Sequence, residues 1–257
     1  MSTEKIALTL FTLRDFCRTA AELDRTLARV RAVGYEYVQV SGVPLEAAEV
    51  RRLLDRNGLK CCATHQGMAD LENIDALAER LATLGCGFAA IGYPGEEHLR
   101  DEAGMTRLVE RMNRAGRALR KRGVLLGYHN HHMEFRQIAD GRTLLEKFYG
   151  ETDPECVGAE IDVHWVARGG GSPAAWIRRV AGRMPVVHFK DFALRDDLSP
   201  IYCEVGAGNL DWPGILQACR DTGVEYYVVE QDEPMPGRDL FESIEISFKN
   251  LSGAIAK

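Results

Sequence analysis

Imidazole and carboxylate side chains in this sequence occur repeatedly at the ends of short apolar runs. Six of the seven histidines lie at or just after such an end: His65, His129, His131, His132, His164 and His188. Three carboxylates occupy similar places: Glu134, Asp162 and Glu230. If the runs are parallel strands of one barrel, their carboxyl ends meet at one rim, where the active sites of such barrels are built. Mixed imidazole and carboxylate donors favour a divalent metal such as Mn²⁺, Co²⁺, Zn²⁺ or Mg²⁺ without selecting among them.

Asp162, His188 and Glu230 form the strongest group among these residues. A single acid or histidine at a strand end more often caps a helix or faces solvent. Each of these three, however, ends an apolar run with no turn residue beside it. We therefore predict that the three side chains contribute to one site.

The segment HNHHMEF, residues 129–135, is the densest in possible donors. If it stays extended, His129 and His131 share one face, and Asn130 and His132 share the other. At most two imidazoles would then meet a metal or a substrate directly. We interpret His132 as a surface residue or one that supports the site from outside.

A lysine and a tryptophan are further candidates for contact with a substrate. Lys190 lies two residues after His188, on the same face of an extended chain, and could neutralise charge developing on a substrate oxygen. The alternative for Lys190 is a salt bridge to Asp191 or another nearby acid. Trp165 could stack on a ring of the substrate, and packing in the protein interior is the alternative.

The elements that must position these side chains alternate regularly along the chain. Short, mostly apolar runs typical of strands buried on both faces occur at Lys5 to Phe11, Glu36 to Val40, Leu59 to Thr64, Gly87 to Ile91, Val124 to His129, Val157 to Asp162, Pro185 to Phe189 and Glu225 to Glu230. Between them, apolar residues recur at helical spacing, as in Leu23, Leu27 and Val30. This indicates eight strand-helix units.

Helix boundaries are marked by residues with known preferences. Glycines follow the helical patterns at positions 34, 58, 85 and 123, where a left-handed residue ends a helix. Ser172-Pro173 and Asp211 are typical of helix starts. Eight units in 257 residues favour a single (β/α)8 TIM barrel covering residues 1–257 over a doubly wound sheet. The longest loops after strands are residues 93–101 and 190–211.

Composition excludes several classes of protein. The net charge of −6, with basic residues scattered among acidic ones, disfavours a nucleic-acid or anionic-membrane surface. No run of about 18 apolar residues is present, and the beginning of the chain has no signal-peptide pattern. We therefore expect a cytoplasmic protein without a membrane span.

Neither the cysteine spacing nor the glycine motifs indicate a cofactor. The seven cysteines are odd in number and contain no C-x-x-C pair, so we interpret most of them as small buried apolar residues. There is no P-loop, and the G-x-G at Gly206 and Gly208 lacks a phosphate-binding context. Neither a nucleotide cofactor nor a phosphorylated substrate is predicted.

The ordered set of motifs resembles the sugar phosphate isomerase/epimerase family with a xylose-isomerase-like barrel. The resemblance covers nearly the whole chain, and its motifs are IALTLFTLRD (6–15), AVGYEYVQVSG (32–42), GYHNHHMEF (127–135), EIDVHWVARGGGSP (160–173), VVHFKD (186–191), VGAGNLDWPGIL (205–216) and YVVEQDEP (227–234). The resemblance implies a TIM barrel and a metal-dependent reaction on a sugar. It does not specify the substrate.

The resemblance also implies which residues hold the metal. In the family, a carboxylate from strand five, an Asp from strand six, a His from strand seven and a Glu from strand eight are the ligands. The last three correspond to Asp162, His188 and Glu230. At the strand-five position this chain has His129, so either Glu134 supplies the carboxylate from the loop or an imidazole of His129 or His131 replaces it. The H-N-H form is similar to relatives of inosose dehydratase and of enzymes acting on keto-glycosides.

The function implied is a divalent-metal-dependent sugar, cyclitol or keto-sugar isomerase or epimerase. It would abstract a proton next to a carbonyl and pass through a metal-stabilised enediolate. Glu230, His129 and His131 are the candidates for moving the proton, with Lys190 stabilising the charge.

Further candidates and the competing functions are less specific. His65, His164 and Trp165 are candidates for substrate contact. The alternative reaction is a dehydratase or lyase acting on an inosose or 3-keto-glycoside at the same metal site. A DNA-repair endonuclease and a non-catalytic sugar binder are disfavoured, the first by the acidic charge and the second by the proton-abstracting set of residues. A homo-oligomer is compatible with the sequence.

Overall fold

Eight parallel strands close into a barrel in this computed structural model, which describes residues 4–256. The strands of the chain are β1 Lys5–Thr9, β2 Tyr37–Val40, β3 Lys60–Gln66, β4 Phe88–Ile91, β5 Leu125–His129, β6 Val157–Asp162, β7 Val186–Phe189, β8 Asp191–Leu194, β9 Pro200–Cys203 and β10 Tyr226–Val229. In the barrel, β1 to β7 follow one another in sequence order, and β10 closes the ring between β7 and β1. The predicted TIM barrel is confirmed.

Helices surround the barrel and connect its strands. They are α1 Ala20–Val33, α2 Ala47–Arg56, α3 Ile74–Leu84, α4 Glu96–Leu99, α5 Glu102–Arg120, α6 Leu144–Glu151, α7 Val163–Arg168, α8 Pro173–Arg179, α9 Trp212–Thr222 and α10 Leu240–Ile255. On α1, Leu23, Leu27 and Val30 are fully buried against the barrel. Burying one such side chain contributes about 1.5–3 kcal/mol.

The predicted helix boundaries are present and have the expected chemistry. Gly85 ends α3 in a left-handed conformation with φ of 68°, which a residue with a Cβ adopts only at a cost. Ser172 caps α8, whose first residue is Pro173, and Asp211 caps α9. These local signals fix where α3 ends and where α8 and α9 begin.

The barrel also contains a small cluster of buried apolar side chains from several strands. Ala7, Phe88, Val186 and Val228 are buried there and pack against one another. Gly127 on β5 makes room for the Phe88 ring, because a Cβ at that position would lie 2.4 Å from it.

Three regions differ from the sequence prediction. The region expected as a loop at residues 190–211 contains an antiparallel hairpin of β8 and β9, and the region at residues 93–101 contains the short helix α4. The first strand ends at Thr9 and not at Phe11, because a 3-10 helix at Leu10–Phe16 follows directly. Both added elements border the carboxyl-terminal rim.

The state of the cysteines and the character of the helices can be compared with the sequence analysis. All seven cysteines are free and buried, as expected of small apolar residues. Within residues 4–256, no helix combines the length and the apolar character needed to cross a lipid bilayer.

Candidate metal centre

Strand register brings residues from four neighbouring strands to one level at the carboxyl-terminal rim. His129 on β5 is the register partner of Glu160 on β6. Asp162 on β6 is the partner of His188 on β7. Glu230 follows β10, the strand that pairs with β7. The result is a compact polar layer inside the barrel.

Four of these residues form what we call the outer group: His129, Asp162, His188 and Glu230. Each offers one donor atom, and the four atoms all lie within 4.8 Å of one another. His188 Nδ1 is 2.5 Å from Glu230 Oε2, and His129 Nε2 is 3.9 Å from Asp162 Oδ2. All four side chains are buried.

Asp162 is oriented by the start of α7 and retains one free oxygen. Its Oδ1 caps the helix by accepting the Trp165 backbone N–H at 3.0 Å. Its own backbone N–H donates to Asn130 Oδ1 at 3.1 Å. Its Oδ2 is buried without a hydrogen-bond partner. A buried carboxylate oxygen without a partner is costly, and a cation would satisfy it.

Electrostatics in the outer group fit a divalent cation. Burial raises the pKa of Asp162 to about 7, despite the opposing charge of Lys190. Burial acts in the same sense on Glu230, but Lys190 and His188 outweigh it and hold the pKa of Glu230 well below its usual value. Burial lowers the pKa of His188, but Glu160 and Glu230 raise it to about 10. Two nitrogens and two oxygens are a donor set suited to divalent metals such as Zn²⁺, Co²⁺ or Mn²⁺.

Glu160 is a central residue that the sequence analysis missed. It is fully buried inside the barrel, and its Oε2 lies 2.5 Å from His65 Nε2, 3.2 Å from His129 Nδ1 and 3.5 Å from His188 Nε2. Its Oε1 accepts a hydrogen bond from Gln39 at 2.7 Å. We call His65, His129, Glu160 and His188 the inner group.

His129 and His188 belong to both groups because each ring presents one nitrogen to each side. His129 directs Nδ1 to Glu160 and Nε2 to Asp162, and His188 directs Nε2 to Glu160 and Nδ1 to Glu230. Burial favours protonation of Glu160, but His188, His65 and His129 together hold its pKa well below its usual value. Glu160 is therefore a carboxylate that can orient both imidazoles.

A signal for Glu160 was present in the sequence. It is the only charged residue within an otherwise apolar stretch of β6 before Asp162, and it precedes Asp162 by two positions. Two residues separated by two positions on a strand face the same side. A charge directed into a barrel requires a partner, and this requirement could have identified it.

Glu134, predicted as a possible ligand, lies outside both groups. It is on a 3-10 helix at Met133–Phe135, where Tyr128 OH donates to its Oε1 at 2.7 Å and the His131 N–H donates to its Oε2 at 3.0 Å. Both oxygens are therefore occupied within the loop. His129, the alternative left open by the sequence, lies with its donor atom within 4.8 Å of those of Asp162, His188 and Glu230.

Lys190 lies beside the outer group and is buried. Its Nζ is 2.6 Å from Asp232 Oδ2 and 3.4 Å from Glu230 Oε1. Burial disfavours its charge, but Glu230, Asp162 and Asp232 raise its pKa above the usual value, so the ammonium form persists. The possible pairing with Asp191 is not observed, because Asp191 instead accepts hydrogen bonds from Trp212 and from backbone groups.

The predicted residues His131, His164 and Trp165 lie around the outer group at the rim. His131 is 5.1 Å from the His129 ring and 5.5 Å from the Trp165 ring, measured between centroids. Its Nδ1 is buried without a partner, and burial and His129 lower its pKa to about 2. His164 is buried between Trp165 and Tyr202 with neither ring nitrogen paired.

The two other predicted histidines, His65 and His132, lie elsewhere. His65 is held by Glu160 in the inner group. The segment 129–135 does not stay extended beyond His129, and His132 is exposed with its ring centroid 5.1 Å from that of Trp165.

Comparison with solved structures finds the same fold over the full chain. A sugar phosphate isomerase/epimerase from Parabacteroides distasonis superimposes with a TM-score of 0.84 at 24% identity, covering 100% of this chain and 96% of that one. A xylose isomerase-like TIM barrel protein from Mycobacterium smegmatis, in complex with magnesium, gives 0.74 at 17% identity, covering 99% of both chains. The probable 3-DHS dehydratase AsbF from Bacillus anthracis gives 0.74 at 14% identity, covering 96% of this chain and 98% of that one.

The family assignment agrees with these superpositions. No curated protein matches the sequence. The family described as xylose isomerase-like TIM barrel matches residues 27–247, most of the chain. The resemblance identified from the motifs is thereby confirmed, and the chain belongs to the xylose isomerase-like TIM barrel family.

Proposed function

We propose that this protein is a divalent-metal-dependent isomerase or epimerase acting on a sugar, cyclitol or keto-sugar. The observation that carries the proposal is the outer group, whose four buried donor atoms lie within 4.8 Å of one another and include the unpartnered Asp162 Oδ2. His129, Asp162, His188 and Glu230 would hold the metal. When bound, the metal would supply Lewis-acid activation of a substrate carbonyl and its neighbouring hydroxyl.

The proton beside the carbonyl requires a base with a free atom. Glu230 and His129 were candidates, but their polar atoms face His188, Lys190, Glu160 and Asp162. His131 has an Nδ1 without a hydrogen-bond partner, and its ring centroid lies 5.1 Å from that of His129 in the outer group. We therefore assign the proton transfer to His131.

Charge that develops on the substrate oxygen requires a cation nearby. Lys190 remains protonated beside the outer group, with its Nζ 4.9 Å from the Trp165 ring centroid. An ammonium held in a buried position stabilises an oxyanion without reorganisation during the reaction. Trp165 would cover one face of the substrate ring.

The second candidate is a dehydratase or lyase that uses the same first proton transfer. One related fold belongs to a probable 3-DHS dehydratase. In this chain His164 lies near Lys190, and neither of its ring nitrogens has a hydrogen-bond partner. Its ring N–H could donate a hydrogen bond to the oxygen of a departing hydroxyl or glycoside. Returning the proton to carbon gives the isomerase or epimerase, and expelling the oxygen gives the lyase.

Incubation in D₂O with keto-sugars and inososes tests the proposal. We expect metal-dependent incorporation of deuterium at the carbon next to the carbonyl, measured by NMR. The variant His131→Gln should lose about 10²–10⁴-fold of this exchange, the usual contribution of a general base. An unsaturated product would select the lyase.

A matched control separates this effect from general damage. His98 is a buried histidine on α4 that belongs to neither the outer nor the inner group, and its Nδ1 lies 3.3 Å from the Gly104 carbonyl. His98→Gln should keep the exchange rate of the wild type. Absence of exchange across the whole panel would contradict the proposal and favour a sugar-binding protein.

A further inference from the structure

A cavity lies beside the candidate metal centre at the rim of the barrel. It has a volume of about 640 Å³, and its walls include Tyr93 and His132. The Tyr93 ring centroid is 6.1 Å from that of His131, and the His132 ring centroid is 5.1 Å from that of Trp165. Two of its wall residues therefore lie against His131 and Trp165, whose rings are close to His129 and to Lys190.

Three arginines line this cavity without acidic partners. Arg100 follows α4, Arg136 follows the 3-10 helix at residues 133–135, and Arg168 ends α7. Arg136 donates to the Leu99 carbonyl at 2.8 Å, and the Arg168 guanidinium carbon is 5.8 Å from the Phe192 ring centroid. Within residues 4–256 none of the three forms an ion pair with a carboxylate. Apart from the Arg136 N–H that is bound to the Leu99 carbonyl, their guanidinium donors are available to a ligand.

The charge and surface of the cavity specify what would fit it. Glu96 is the only acid among its lining residues, so guanidinium groups outnumber carboxylates by three to one. Guanidinium groups bind carboxylate and phosphate through paired N–H···O bonds. Tyr93 and Phe135 add flat apolar surface. The volume lies within the range of small-molecule sites.

We propose that this cavity is the anion-binding half of the active site, and that the substrate carries a carboxylate or phosphate group remote from the carbon that exchanges its proton. The arginines bind that group while the metal centre acts on the carbonyl end. This inference rests on the proposed function for the reaction but not for the binding of the anion. The absence of a phosphate-binding sequence motif does not argue against it, because the three arginines come from three separate loops and helices.

Binding to metal-free protein tests the cavity apart from the chemistry. The metal is removed with a chelator, the chelator is dialysed away, and inorganic phosphate, benzoate and neutral benzamide are titrated by calorimetry. We expect saturable binding of at least one anion and none of benzamide. The variant Arg100→Gln/Arg168→Gln should weaken the anion at least about tenfold, because each charge-assisted hydrogen bond is strong. A preference for benzoate or for phosphate identifies the group.

The matched control is an equally exposed pair of arginines in another basic cavity. Arg114 and Arg120 lie on α5 and line a cavity of about 1010 Å³ near the start of β5, at the opposite end of the barrel. Arg114→Gln/Arg120→Gln should bind the anion as the wild type does. Three results would overturn the proposal: no saturable binding of either anion, equal binding by wild type and Arg100→Gln/Arg168→Gln, or loss only in the control pair.

A kinetic measurement connects the cavity to the reaction. Among compounds that exchange deuterium, anionic substrates should show KM raised about tenfold in Arg100→Gln/Arg168→Gln, with kcat little changed, because the arginines bind the substrate equally before and during the reaction. Anion binding without deuterium exchange of any compound would support the anion-binding role of the cavity and contradict the proposed function. Deuterium exchange of neutral substrates only, with the same KM in the wild type and in Arg100→Gln/Arg168→Gln, would contradict the anion-binding role of the cavity.

Discussion

The inner and outer groups share two imidazoles but differ in how their carboxylates are satisfied. Glu160 and Asp162 are two residues apart on the same face of β6, and both are fully buried. Glu160 is surrounded by His65, His129, His188 and Gln39, so its pKa is held well below its usual value. Asp162 has one oxygen without a partner, and burial raises its pKa to about 7.

This difference assigns different roles to similar side chains. The inner group satisfies its own charge with protein hydrogen bonds at 2.5–3.2 Å, as a supporting layer does. The outer group leaves a carboxylate oxygen for an additional cation. We therefore expect the metal on the outer side, with Glu160 keeping the two shared imidazoles in position.

The largest effect is expected when the outer carboxylates are removed. Asp162→Ala/Glu230→Ala should lose the bound metal and reduce deuterium exchange by at least about 10³-fold, the scale of losing the main electrostatic stabiliser. Metal content is measured by mass spectrometry and folding by circular dichroism. Glu134→Gln is the control, because both oxygens of Glu134 are already used in the loop, and it should retain the metal. Equal metal content in the wild type and the double variant would reject the outer site.

An intermediate effect is expected for Glu160→Gln. Loss of the orienting carboxylate should weaken metal affinity by about 10–100-fold while leaving one metal per chain at saturation. Competition with a fluorescent chelator measures the affinity. If Glu160→Gln abolished binding and Asp162→Asn retained it, the metal would lie in the inner group and the assigned roles would be reversed.

The smallest effect concerns the stability of the metal-free protein. Because burial raises the pKa of Asp162, the folded state holds a proton that the unfolded chain has released. The resulting stability is complete below the usual carboxyl pKa of about 3.9 and is lost as the pH rises through about 7. Asp162→Asn removes this dependence and retains the helix cap.

Urea unfolding of metal-free protein measures that difference. Between about pH 5 and pH 8 the wild type should lose at least about 1.4 kcal/mol more than Asp162→Asn, the value of one pKa unit. Identical pH profiles for the two proteins would show that Asp162 is not strained by burial in the absence of a cation.

Local patterns predicted much of the fold and part of the site. Apolar strands, helical spacing and glycine C-caps were sufficient for the barrel, and strand ends identified Asp162, His188 and Glu230. The hairpin of β8 and β9 was not predicted, because its residues Phe192 and Tyr202 are stabilised by long-range contacts with His164. Such contacts are not visible in the local pattern.

The sequence by itself determined that strands alternate with helices and that histidines and acids lie where strands end, since both are consequences of spacing along one chain. Only the tertiary structure decided that His129 and not Glu134 joins Asp162, that Glu160 faces three imidazoles, and that three separate arginines border one cavity. The physical reason is that these relations depend on strand register and on the path of loops across the rim. Both are set by packing between distant segments.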